Sequence, residues 1–564
     1  MKKSIFASRN TNDFTMKHII PIIGLSMLVP TALSGAEKPN IIFFLIDDNG
    51  WVDSQVSYGP EVYPNNLRFN TPNMVRLANS GVMMTNGYAC GLSTPTRTSL
   101  MTGMNSAHTG ITSFIKAYRD CPSDELGGLK AGLGPETVDM FDSLGHADWN
   151  YNGMSPEPGI EHTCYATPFP KILKDNGYYT IHVGKTHWSV NGTPGVNPYN
   201  MGFVVNVAGS VAYVPNSYLS EDNYGNKPEI WTDMAVQNMN QYYGSGLFLT
   251  EALTKEALKT LDYPVRHRQP FYMYLAQYAT HSPIQADKRY YEKYLKAGMD
   301  KGQAKFASMV EGVDQSLGEI LDYLEANNLT KNTIIILMAD NGGDATLKSK
   351  GGIPHTQNKP LREGKASVYE GGVRVHCMFS WPGHISSGTR LNTPVTIADM
   401  FPTILDFAGV KEYTAVQSID GKSLVKLVTK GSKLAAKAKE RGELRTQAEE
   451  NAFVVPVSVS GIDPERQIIS HYPNKWRTRR VNDVDYMSAI REGEWKLVYR
   501  MITRKLELYN LNEDLGELND ISAQRPEIVT RLAKDLSKQL RIWKAPMPLI
   551  PSTGAPVPMP DEVL

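Results

Sequence analysis

The segment Gly91-Leu92-Ser93-Thr94-Pro95-Thr96-Arg97-Thr98-Ser99-Leu100-Met101-Thr102-Gly103 sets a hydroxyl, a proline and a cation at alternate positions. Pro95 suits the first turn of a helix, where its missing N–H costs nothing, and Gly103 suits the end of that helix. Ser93 is therefore predicted at a helix N-terminus, where unpaired N–H groups and the positive dipole end favour an anionic ligand. An unmodified serine would serve there only as an ordinary hydroxyl. Two oxygen-rich pairs, Asp47-Asp48 and Asp340-Asn341, each lie at the end of an apolar run. Carboxylate and amide oxygens without thiolates suit Ca2+ or Mg2+, so the two pairs read as one hard-cation site. Arg97, Lys185 and Lys365 offer positive charge, and a preorganised cationic cradle stabilises a transition state without solvent reorganisation. His281, followed by Ser282-Pro283, carries an imidazole that titrates near neutrality and so could give a proton to a departing alkoxide.

These residues need elements that deliver them to one place. Ile41 to Ile46 runs into Asp47-Asp48, and Tyr178 to Val183 into Gly184-Lys185-Thr186-His187. Phe271 to Ala276 leads after a short connection to His281, and Thr333 to Met338 leads into Ala339-Asp340-Asn341. Unbroken apolar runs ending in polar residues are the pattern of central parallel strands with a site at their carboxyl ends. Helix-period stretches such as Asn73 to Asn79 and Phe306 to Asn327 alternate with them, which predicts an α/β fold. The organisation read from the chain is an export signal over 1–36, an α/β catalytic domain over 37–430, a charged linker over 431–460 and an α+β subdomain over 461–564. In the last, Trp495 to Tyr499 and Lys505 to Tyr509 read as strands and Pro526 to Trp543 as a helix.

With 564 residues and 41% hydrophobic content the chain can bury a large core. Lys+Arg and Asp+Glu balance at 58 each, so no global basic field recruits nucleic acid. Lys17-His18, the apolar run Ile19 to Leu33 and the small residues Ser34-Gly35-Ala36 have the form of a secretory signal, with Met16 as an alternative start. No cysteine follows that run to take a lipid, and no later stretch reaches membrane-spanning length, which predicts a periplasmic or secreted protein without a membrane anchor. Cys90, Cys121, Cys164 and Cys377 form no metal-type pair, and at most one disulfide is expected.

The segment around Ser93 fits, position for position, the (Cys/Ser)-x-Pro-x-Arg…Thr-Gly signature of the type I sulfatases. Their first signature residue is oxidised to formylglycine. The chain resembles bacterial carbohydrate sulfatases of this serine type, within the alkaline phosphatase superfamily, over nearly all of its mature length. The resemblance implies a large, mostly parallel mixed sheet flanked by helices, with a smaller C-terminal subdomain of antiparallel sheet plus helix. It implies Ca2+ held by Asp47, Asp48, Asp340, Asn341 and modified Ser93. By the same resemblance Arg97 braces the formylglycine and the metal, and Lys185 bridges nucleophile and sulfate. His187, in Gly184-Lys185-Thr186-His187, bonds the formylglycine hydroxyl and takes its proton. Lys365, in Leu361-Arg362-Glu363-Gly364-Lys365…Tyr369-Glu370-Gly371-Gly372, is the second sulfate-binding lysine, and His281 touches the sulfate ester. A serine at position 93 implies a radical-type maturation enzyme as transient partner and a sulfated carbohydrate as substrate. His108 reads as a packed or exposed loop residue and His355 as a loop residue, with lining of the pocket as the alternative for each, and His471-Tyr472-Pro473-Asn474-Lys475-Trp476 either reaches the pocket mouth or is a strand with its turn. A phosphoesterase of the same superfamily and a non-catalytic binder of sulfated glycans are the alternatives.

Overall fold

A strand that is apolar on both faces must be covered on both, and every residue of Asn40–Ile46 (β1) is buried. In the computed structural model, which describes residues 38–124, 144–345, 357–442, 462–475 and 485–564, β1 is central in an eight-stranded sheet. The other strands are Val82–Met84 (β2), Tyr179–Gly184 (β3), Val205–Val207 (β4), Phe271–Ala276 (β5), Thr333–Ala339 (β6), Cys377–Ser380 (β7) and Thr389–Leu391 (β8). Their order is β8-β2-β7-β6-β1-β5-β3-β4. Only β7 runs antiparallel to its neighbours. The export signal, His355 and Trp476 lie outside the described residues.

Flanking helices include Pro72–Asn79 (α1), Ser93–Thr102 (α2), Leu249–Thr260 (α3), Lys301–Ala326 (α4), Met400–Phe407 (α5) and Val425–Glu440 (α6). The long helix begins at Lys301 rather than at Phe306, because the Asp300 side chain accepts from the N–H groups of Gly302 and Gln303. Capping, not hydrophobic period, sets that start. From the middle of α4, Asp314 accepts from the N–H groups of Met74 and Asn73 at 2.7 and 3.1 Å, tying down the start of α1. The charged span expected as a linker is helical as far as Glu440 in α6, and 443–461 lie outside the described residues.

Toward the C-terminus, Ile468–Tyr472 (β9), Met487–Glu492 (β10), Trp495–Arg500 (β11) and Lys505–Asn510 (β12) form an antiparallel sheet in sequential order. Period-two alternation gives it two apolar faces. Ile490, Leu497, Tyr499 and Leu508 pack on Leu532, Ala533, Leu536 and Leu540 of Pro526–Trp543 (α7). The opposite face, with Ala489, Val498 and Tyr509, packs on Leu92, Ala366 and Tyr369 of the larger domain. Cys90, Cys121, Cys164 and Cys377 are all free thiols. Among the described residues no helix is long and apolar enough to cross a membrane.

One close approach fixes the end of β6. The Gly342 N–H donates to the Gly372 carbonyl at 2.9 Å, and a Cβ at position 342 would stand 1.7 Å from the Gly371 carbonyl oxygen. Gly342→Ala must therefore separate the Asp340-Asn341 turn from the 371–372 backbone. Overpacking of this kind costs about 1–3 kcal/mol. The expected result is a lower melting temperature by calorimetry together with lost activity; an unchanged melting temperature would refute the close approach.

Candidate active site

Four parallel strands point their carboxyl ends at one place, the usual position of a ligand site in an open α/β sheet. Asp47 and Asp48 follow β1, Asp340 and Asn341 follow β6, Lys185 follows β3, and His281 follows β5. The N-terminus of α2 brings Ser93 and, one turn on, Arg97. Gly184 adopts φ 96°, and a Cβ there would lie 2.0 Å from the Ala276 carbonyl oxygen. Glycine thus lets β3 close on β5 while the Lys185 N–H donates to that same oxygen at 2.9 Å.

Ser93 Oγ lies 3.2 Å from Asp47 Oδ1, 3.2 Å from Asn341 Oδ1 and 3.4 Å from Lys185 Nζ. Lys185 Nζ donates to Asp47 Oδ2 at 2.5 Å. Arg97 donates to Asp340 Oδ2 through Nε and Nη2 at 3.0 and 2.7 Å, and through Nη1 to the Lys185 carbonyl at 3.1 Å. Asp340 Oδ1 accepts from the Asp48 N–H at 3.1 Å. Asp48 Oδ1 accepts from Asn341 Nδ2 at 2.9 Å and pairs with Lys365 Nζ at 2.6 Å. All of these side chains are buried. His281 Nε2 stands 3.7 Å from Asp48 Oδ2, and its Nδ1 is 2.9 Å from the Ser282 carbonyl.

Desolvation disfavours every one of these charges, so each pKa reports how well neighbours compensate. Burial works to lower Arg97, but Tyr274, Asp340 and Asp47 outweigh it and hold the guanidinium above its ordinary value. Burial lowers the Lys185 ammonium despite Asp47, with Arg97 adding to the fall. Burial also acts to lower Lys365, yet Asp48, Asp47 and Asp344 raise it overall. Asp340 is pushed up by burial and then by Asp47, against the pull of Arg97. Burial, then the charges of Lys365 and Lys185, take His281 down to about 3, which favours the neutral imidazole. His187 is lowered by burial and by Lys185.

The donor set fits a hard cation. A hydroxyl has one proton, so Ser93 can satisfy only one of the two side-chain oxygens facing it at a time. Asp47 and Asn341 therefore turn oxygens toward a common point with too few donors. Asp47, Asp48 and His281 also bring ligand atoms within 4.8 Å of one another. Asp340 is placed differently, because both of its oxygens receive donors from Arg97 and Asp48.

The structure gathers Ser93, Arg97, Lys185, Lys365, His281, Asp47, Asp48, Asp340 and Asn341 into one cluster. His187 sits at its edge: its Nε2 is 2.9 Å from Thr94 Oγ1 and 3.1 Å from the Ile115 carbonyl, and its ring stacks on Tyr213. His108 lies outside, paired with Asp420 at 2.9 Å and stacked on Trp543. Of the two readings of the segment from His471, the strand is the one observed, in β9. The register of His471 opposite Ser488 turns Nδ1 to Ser488 Oγ and Nε2 to the Pro546 carbonyl, both at 2.7 Å. Three contributors went unpredicted. Thr280 Oγ1 holds the Asp47 and Asp48 carbonyls at 3.2 Å, the Tyr274 hydroxyl lies 3.4 Å from Arg97 Nη1, and Thr94 holds His187. A hydroxyl inside the apolar run 271–276 was the one available signal for Tyr274.

A family model described as Sulfatase matches residues 39–410. A sulfatase of Formosa agariphila is 27% identical over 94% of this chain and 94% of its own. The N-acetylgalactosamine-6-sulfatase of Mus musculus is 28% identical over 73% of this chain and 70% of its own. Among solved structures, Ps i-CgsB in complex with k-i-k-neocarrahexaose has a TM-score of 0.60 at 25% identity, covering 89% of this chain and 93% of that one. With the family model spanning most of the chain and the polar cluster lying inside the matched residues, the chain belongs to the sulfatase family and is a sulfuric ester hydrolase.

Proposed function

We propose that this chain is an exported, Ca2+-dependent carbohydrate sulfatase that acts through Ser93 oxidised to formylglycine. The observation that carries the reading is the convergence of Asp47 Oδ1, Asn341 Oδ1 and Lys185 Nζ on Ser93 Oγ. A formylglycine hydrate would supply one oxygen to attack sulfur and a second whose deprotonation later releases sulfate. Bound Ca2+, held by Asp47, Asp48, Asp340 and Asn341 with position 93, would lower the pKa of that nucleophile and fix a sulfate oxygen. Lys185 and Lys365 neutralise the sulfate oxygens from two sides, and burial keeps competing water away. Arg97 holds Asp340 in place. His187, whose Nε2 is held by Thr94 beside position 93 and by the Ile115 carbonyl and whose Nδ1 has no hydrogen-bond partner among the described residues, would take the hydrate proton, as the family resemblance implies. His281 starts neutral. Burial is the main cause of that; a sulfate monoester entering between Lys365 and Lys185 offsets the part that comes from their charges, and so moves the ring toward the protonated form that the leaving oxygen requires.

The sugar assignment draws on relatives named for N-acetylgalactosamine 6-sulfate and crystallised with neocarrahexaose. The secretory form of 1–36 supports a glycan met outside the cytoplasm, with a radical-type maturation enzyme as the transient partner. Residues 37–430 would carry the chemistry and 461–564 would form the second wall.

The mass of the residue-93 peptide should report aldehyde in active protein, and protein from a host without the maturation enzyme should be folded but inert. Full turnover with Ser93 unmodified would overturn the nucleophile. Asp340→Ala leaves Arg97 without its carboxylate and should lower kcat/KM by about 10^2 to 10^3; a rate unaffected by chelation would remove Ca2+ from the reading. A sugar alkoxide leaves far less readily than a nitrophenolate, so His281→Ala should cost about 10^2 or more on a sulfated sugar and much less on an aryl sulfate. Equal losses on both would leave His281 as a sulfate ligand alone.

A further inference from the structure

Residues 361–374 form a loop that closes on itself, with the Gly371 N–H donating to the Arg362 carbonyl at 2.8 Å. Its tip carries Lys365 toward Asp48, and the Lys365 and Ala366 N–H groups bond the Gly343 and Gly91 carbonyls at 3.1 and 2.7 Å. Its base is held from the other side by the C-terminal sheet. Lys496 on β11 pairs with Glu370 Oε1 and with Glu517 Oε1, both at 2.8 Å. Glu517 Oε2 accepts from the Glu370 N–H at 2.7 Å. Lys496, Glu370 and Glu517 are all at least 97% buried. A second grip lies beside the first. Arg362 lies 3.9 Å over the Tyr369 ring and donates to the Tyr509 hydroxyl at 3.0 Å, while the Tyr369 and Tyr509 hydroxyls both donate to Glu507.

None of these groups reaches the cluster around Ser93, yet they bracket the lysine that does. An ammonium shared by two buried carboxylates is directional and costly to disturb, so it fixes backbone more firmly than apolar packing alone. We propose that Lys496, gripped between Glu370 and Glu517, pins the 361–374 loop to the C-terminal sheet and thereby positions the Lys365 ammonium for the sulfate group. This rests on Lys365 being a sulfate-binding lysine. Lys496, Glu370 and Glu517 are positioning residues, and the C-terminal sheet becomes part of the sulfate site without touching sulfate.

Lys496→Met combined with Glu517→Gln removes one charge of each sign. It leaves Glu370 with Arg374 and the Tyr88 hydroxyl, at 3.2 and 2.8 Å, so the matured protein should still melt cooperatively. The inhibition constant for inorganic sulfate should rise, and kcat/KM fall, by about tenfold. In a Lys365→Ala background the same pair should change either constant by less than about twofold, since there is no ammonium left to misplace. A tenfold loss that persists without Lys365, or sulfate inhibition that does not move in the paired variant, would overturn the pin. If Lys365→Ala alone leaves sulfate inhibition intact, the sulfate-binding reading falls and the inference falls with it, which tells the two failures apart. Should the paired variant fail to fold, Glu517→Gln alone enters the same cycle with the same deciding outcomes.

Discussion

Three carboxylates and three cations share one buried volume, and the rest of the structure exists to make that tolerable. Asp47, Asp48 and Asp340 each sit at 2% exposure or less. An unpaired charge there would be far too costly to keep, and a paired one survives only when geometry and hydrogen bonds are both good. Each carboxylate accordingly meets one cation closely: Lys185 on Asp47, Lys365 on Asp48, Arg97 on Asp340. The cations arrive from a strand end, a closed loop and a helix, so a small displacement of any of these elements strands a charge.

That constraint explains features of the fold that would otherwise look incidental. Gly184 and Gly342 admit backbone approaches of about 2 Å to where a Cβ would be, bringing strand ends together that side chains would hold apart. Thr280 caps the two carbonyls at the Asp47-Asp48 turn, where Asp48 adopts the left-handed φ of 54°. Such strain at a functional turn persists because the surroundings over-determine it.

The C-terminal sheet answers the same demand from outside. Its one face covers α7 as any amphipathic pair would, whereas its other face carries Lys496, Glu507 and Tyr509 against the loop of Lys365. Burial alone would raise Glu370, but Lys496, Arg374 and Arg491 hold it well below its ordinary value, while Glu517 is pushed up by burial and by Glu370. The pair therefore divides one ammonium unequally, and Glu370, the member on the loop, is the more firmly ionised of the two.

Much of this was legible in the chain. The unbroken apolar runs ahead of Asp47 and Asp340, and the Ser93 to Gly103 signature, are local patterns, and local patterns fix strands, helix ends and their order. Asp47, Asp48, Lys185, Asp340 and Asn341 could be named because each directly follows the strand that presents it, whereas Lys365 was named through the family motif around it. What sequence could not decide is who meets whom. Arg97 and Asp340 are 243 positions apart, and their pairing depends on strand order, register and helix placement together. The same holds for His471, which register turned into the subdomain, for His187, which met Thr94 rather than Ser93, and for Lys496, whose partners lie 126 residues away in Glu370 and beyond the strand in Glu517. Sequence determined the elements and the chemistry they carry; only tertiary packing, through the need to pair every buried charge, decided the partners.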